Sequence, residues 1–136
     1  MCIKQKQKQE QKENTKKRVF VIDFKGSVDA NEVESLRREV SAIIAVAEPG
    51  DTVFIRLESP GGAVDGYGLA AAQLERLREA KLELTVSVDK VAASGGYMMA
   101  VVADHIQAAP FAFVGSIGVI AQLPNFHRWL KKHDVD

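Results

Sequence analysis

TVFIRLESPGG, residues 52–62, joins two structural patterns within one short stretch. Thr52-Val53-Phe54-Ile55-Arg56-Leu57 is a β-branched and aromatic run that predicts a strand, and Ser59-Pro60-Gly61-Gly62 breaks it. A helix is predicted to follow from Val64 to about Ala80. Upstream, Val19-Phe20-Val21-Ile22-Asp23-Phe24 forms a first strand that ends at Lys25-Gly26. Asp29 or Asn31 can then cap a helix in which Val33, Leu36, Val40, Ile43, Ile44 and Ala47 recur at three- and four-residue spacing, until Pro49-Gly50 stops it. Downstream, Leu82 to Val88 is a third strand, and Ala92 to Ala100 introduces a short, buried helix ending near Ala103. His105 to Ala109 is a fourth strand, Gly115 to Gln122 contributes one or two more, and Asn125 caps a final helix through Lys132. Strands alternating with helices imply right-handed β-α-β units, hence an α/β fold with a parallel sheet flanked by helices. In such sheets ligands bind outside the carboxyl ends of the strands, the edge where turns 59–62 and 94–96 fall.

A length of 136 residues, 46% hydrophobic and 26% charged, fits one small domain. Eighteen Lys+Arg balance eighteen Asp+Glu, which gives no overall basic signature and argues against a nucleic-acid partner. The balance hides an asymmetry. Residues 1–18 hold seven Lys/Arg against two Glu, +5, and residues 19–136 hold eleven against sixteen, −5. With Ile3 as its only large aliphatic residue, segment 1–17 cannot bury enough surface to order itself, so it is expected to be a basic tail or linker, with the folded core over 18–136. A linker in solvent and a segment drawn to anionic head groups, adjoining a removed membrane anchor, both suit that composition. The single cysteine, Cys2, allows no internal disulfide. No run approaches the ~18 apolar residues of a membrane span.

Ser94 lies at a strand-to-helix transition among Ala92, Ala93, Gly95 and Gly96. A serine there either caps the helix through its oxygen or serves as a nucleophile where backbone N–H groups stabilise a developing oxyanion. Ser59-Pro60-Gly61-Gly62 is either a tight turn or a second source of such amides, since glycine leaves the backbone unobstructed.

In order, Leu57-Glu58-Ser59-Pro60-Gly61-Gly62, Val91-Ala92-Ala93-Ser94-Gly95-Gly96-Tyr97-Met98-Met99-Ala100 and Gly115-Ser116-Ile117-Gly118-Val119-Ile120 resemble the signal peptide peptidase A family of serine proteases, over residues 18–136. The resemblance implies the Clp protease and crotonase fold, a spiral of β-β-α units. It makes Ser94 the nucleophile, Gly95 one oxyanion-hole donor and Gly61 or Gly62 the other. It also implies a peptide or protein substrate, no cofactor, a homo-oligomer around an enclosed bowl, and a place at the bacterial inner membrane with the protease domain periplasmic. The family's general base is a lysine on a helix farther downstream, so the base is expected beyond Asp136 and little turnover is expected from these residues alone. A neutral lysine needs burial or a cationic neighbour. Lys90 is a loop residue, and Lys131 and Lys132 share a polar terminal helix with His127 and Arg128, so none of the three meets that need. His105, His127 and His133 show no metal-ligand spacing, and Asp104, Asp134 and Asp136 read as surface charges. Two further classes fit the glycine turns: a crotonase-like acyl-CoA enzyme that does not need Ser94, and a non-catalytic oligomerisation or binding domain.

Overall fold

Residues 16–120 are described in the computed structural model. Strand β1 (Val19–Lys25) pairs in parallel with β2 (Thr52–Glu58), β2 with β3 (Glu83–Val88), and β3 with β5 (His105–Ala108), giving a four-stranded sheet in the order β1-β2-β3-β5. Ile22, Ile55 and Val86 stand in register across it, and alternation aims them to one face together with Phe24, Val53, Leu57, Leu84 and Val88. Helices α1 (Val33–Val46), α2 (Val64–Glu79) and α3 (Gly95–Ala100) supply the opposing side of the core through Leu36, Val40, Tyr67, Leu74, Leu77 and Met99, all fully buried.

A second sheet is perched at the carboxyl edge of the first. β4 (Val91–Ala93) pairs in parallel with β6 (Phe113–Gly115), and Ser59 extends the ladder by a bridge to Ala92. Strands β2, β3 and β5 are each followed by a short extended piece in the second sheet: β2 by Ser59 and then α2, β3 by β4 and then α3, β5 by β6. This is the spiral of β-β-α units that the resemblance implies, and its consequence is positional. Three chain segments distant in sequence, at Ser59, Ala93 and Gly115, lie side by side at one edge.

Several expectations change in detail. Neither Asp29 nor Asn31 caps α1. Glu32 holds that position, and its carboxylate reaches back to accept from the Ser27 N–H (3.1 Å) and hydroxyl (3.0 Å). The expected strand from Gly115 onward ends at Gly115, because Gly115 (φ 135°) and Ser116 (φ 64°) turn the chain out of the extended region. Asp104 is no free surface charge: it accepts from the Leu84 N–H (2.9 Å) and Arg78 Nε (3.1 Å), and the first of these bonds leads in holding its pKa below the ordinary carboxylate value. The tail before Lys16, with Cys2, and the terminal helix 125–132 lie outside the described residues, as do His127, Arg128, Lys131, Lys132, His133, Asp134 and Asp136.

Candidate active site

Ser94 is held in a conformation that side chains rarely adopt, φ 50° and ψ −114°, a strain of about 1–3 kcal/mol that the surroundings must impose. They do so through its backbone. Its N–H donates to the carbonyls of Gly115 (3.1 Å) and Ser116 (2.9 Å), and its own carbonyl accepts from the Met98 N–H (2.9 Å). The Gly115-Ser116 motif thus fixes the serine from the neighbouring strand. The Ser94 hydroxyl makes no capping bond to α3, which removes the N-cap reading, and Oγ has no hydrogen-bond partner among the described residues. The Gly95 N–H likewise finds no acceptor among the described residues.

The glycine turn after β2 is clamped to the same element. Ser59 N–H donates to Val91 O (2.9 Å), and Ser59 O accepts from Ala93 N–H (3.0 Å). Close approach then requires glycine: a Cβ on Gly61 would stand 2.7 Å from Ser94 Cβ, and one on Gly96 2.7 Å from Ser59 O. Gly61 also has φ +87°, which only glycine takes at no cost. The two candidate amides in this turn differ. Gly61 N–H points inward and donates to Ser59 Oγ (3.1 Å). Gly62 N–H has no acceptor among the described residues, and Gly62 lines a cavity of about 330 Å³ together with Ser94 and Gly95. Val64, Met98, Val101, Ile117 and Val119 make most of the remaining wall apolar, and Tyr97 and Gly118 complete it.

Beneath the two glycine turns is a buried polar chain. Tyr67 Oη donates to the Ser27 carbonyl (2.7 Å) and lies 2.6 Å from Ser59 Oγ. A carbonyl only accepts, so the single phenolic proton goes to Ser27 and the Ser59 hydroxyl donates to Tyr67. Burial pushes the Tyr67 phenol above its ordinary pKa, opposed by the Ser59 bond and aided by the Glu32 charge, so it stays neutral across the physiological range. Its ring lies directly under Gly95, where a Cβ would come within 2.3 Å of Cγ.

Lys90 is not part of the site: its ammonium is exposed and pairs with Glu58 (3.6 Å). His105 pairs with Glu83 (3.4 Å) on the edge strand. No lysine or histidine among the described residues lines the cavity, and none of their His, Cys, Asp and Glu side chains cluster as metal ligands. Sequence reasoning missed Ser59 and Tyr67 as side chains of consequence, because a serine before Pro-Gly and a tyrosine on an apolar helix face each have ordinary local explanations.

Comparison with known proteins adds the relationships. The profile described as "Peptidase family S49 N-terminal" matches residues 2–74, basic segment included, and that of "Peptidase family S49" matches residues 76–136. A probable protease SohB of Buchnera aphidicola subsp. Acyrthosiphon pisum is 63% identical over 123 residues, 90% of this chain and 37% of the relative. A probable protease SohB of Haemophilus influenzae is 64% identical over 118 residues, 87% of this chain and 33% of the relative. The chain therefore spans well under half the length of these relatives. Among solved structures, the 1510-N membrane-bound stomatin-specific protease, as a lysine-to-alanine mutant in complex with a substrate peptide, superposes with a TM-score of 0.64 at 23% identity, over 82% of this chain and 50% of that one.

Proposed function

The chain belongs to peptidase family S49, and from that premise we propose that it carries the nucleophile half of a Ser-Lys peptidase site. The observation that carries the reading is the uncapped Ser94 hydroxyl, held at a strained φ on one cavity with the amides of Gly62 and Gly95, which have no acceptor among the described residues. Ser94 Oγ attacks a peptide carbonyl, and its proton passes to a general base. The carbonyl oxygen, now negative, is held by the Gly62 and Gly95 N–H groups. Collapse expels the amine, which takes the proton from the base, and leaves an acyl-enzyme that water hydrolyses. The base is a lysine outside residues 16–120. The chemistry uses no cofactor.

The substrates are apolar stretches of signal-peptide-like or unfolded membrane and periplasmic polypeptides, a reading supported by the apolar cavity wall. Association into a homo-oligomer at the bacterial inner membrane completes it. Its support is the exposure of Phe111, Phe113, Ile117 and Ile120, and the membrane-bound, peptide-complexed state named for the solved protease of the same fold. Activated peptide esters test the reading, because their leaving group needs no protonation. In buffer holding a primary amine as proton acceptor, esters with a leucine-like side chain beside the scissile carbonyl should be hydrolysed at least about tenfold faster than those with an aspartate, given the few kcal/mol that separate burial of apolar and charged groups. Equal rates for the two, or hydrolysis retained in Ser94→Ala, contradict it.

A further inference from the structure

We propose that Tyr67 and Ser59 are positioning residues of the oxyanion hole, setting through one hydrogen-bonded chain which amide of the glycine turn faces the reacting carbonyl. The inference rests on the reading of Ser94 as nucleophile and names residues that nothing else in the site assigns. The chain is directional: Gly61 N–H donates to Ser59 Oγ, the Ser59 hydroxyl to Tyr67 Oη, and the Tyr67 hydroxyl to the Ser27 carbonyl. Every proton in it has one acceptor, so the arrangement has no second rotamer of equal energy, and bonds in series polarise one another in the buried interior.

Two consequences converge on the site. Drawing the Gly61 amide inward, in a turn whose φ at Gly61 is +87°, leaves the next amide, that of Gly62, at the cavity wall. The Tyr67 ring, one bond from the same hydroxyl, forms the floor under Gly95, which carries the second donor. One side chain therefore braces both donors, and the fit is close on every side. A Cβ on Gly26 would stand 2.3 Å from Tyr67 Oη and 2.9 Å from Ser59 Oγ, so glycine is required there to leave room for the pair. Phe24 meets the Tyr67 ring edge to face at 6.4 Å and fixes its plane. Ser59 is itself pinned by its backbone to Val91 and Ala93, so its hydroxyl cannot follow a displaced turn.

The test removes one oxygen at a time. Tyr67→Phe keeps the ring under Gly95, and Ser59→Ala keeps the backbone clamp. Each variant and the parent are treated with a fluorophosphonate in amine buffer, and the saturable binding constant is separated from the maximal phosphonylation rate. The expected result is a maximal rate lowered about tenfold or more, towards the 10²–10³ of a lost donor, with the binding constant within about twofold of the parent because the apolar wall is untouched. A merely structural role would lower the melting temperature and leave that rate unchanged, which overturns the proposal. In parallel, residual dipolar couplings of ¹⁵N-glycine-labelled protein report the direction of the Gly62 N–H vector without any chemistry. A vector unmoved in both variants also overturns it. A parent that does not label counts against Ser94 as nucleophile alone, and the Gly62 couplings then decide the positioning claim.

Discussion

Ser94 combines two properties that cost stability and serve no packing purpose, a positive φ and a hydroxyl at a helix start that caps nothing and has no partner among the described residues. The glycines around it show the same priority. Gly95→Ala would force a methyl group to within 2.3 Å of the Tyr67 ring, and ring and helix must separate to admit it. We expect a loss of about 1–3 kcal/mol, typical of overpacking, read as a lower midpoint in urea, whereas Gly68→Ala, with nothing within 4 Å, should be neutral or slightly stabilising. Equal midpoints for the two variants would contradict the packing described. At this scale the sequence points to Ser94 and Gly95 and leaves Gly61 and Gly62 as alternatives, because glycines in ordered motifs that also hold a serine are a backbone requirement visible in one dimension. It is silent on Tyr67, whose partners Ser27 and Ser59 come from two other segments and meet it only once β1, β2 and α2 have packed. Asp104 was misread for the same reason: its bond to Leu84 crosses to another strand.

Helices α1 and α2 were legible almost to the residue, since their apolar positions recur with the helical period. β4 and β6, three residues each, were not: so short a piece has no alternation to read, and its pairing is non-local. Elements are joined by small polar devices of the same non-local kind. The start of β1 is tied to the turn before β2 by Asp51, whose carboxylate accepts from Arg18 N–H (3.0 Å), Arg18 Nε (3.0 Å) and Glu48 N–H (2.9 Å). These bonds, that from Glu48 first, hold its pKa below the usual carboxylate value. A carboxyl whose folded pKa is depressed stabilises fully above the unfolded value near 3.9, and the contribution fades as pH falls through the folded value. Asp51→Asn should therefore unfold more easily than the parent at pH 7 and equally so at pH 5, with the gap closing below about pH 4. A gap that persists undiminished into stronger acid would mean that the charge of Asp51 is not what ties the two elements.

For the molecule as a whole, the β-β-α spiral explains why three motifs spread from residue 57 to residue 120 form one site: the second sheet pairs Ser59 with Ala92 and Ala93 with Gly115, and Gly62, Ser94 and Ile117, each a few residues on, line one cavity. Alternating strands and helices made the α/β class readable in advance, while the apolar cavity wall was not, because Val64, Met98, Ile117 and Val119 come from three separate segments. The opposite face of the main sheet carries exposed Val19 and Val21 and the Asp23–Arg56 pair, and no helix of the described residues covers them. Ser94 carries the proposed chemistry. Intact-mass and peptide mapping after fluorophosphonate treatment, in buffer with a primary amine as proton acceptor, should give a single adduct on the peptide bearing Ser94 and none in Ser94→Ala. An adduct elsewhere, or no adduct on the folded chain even with the amine present, would contradict it.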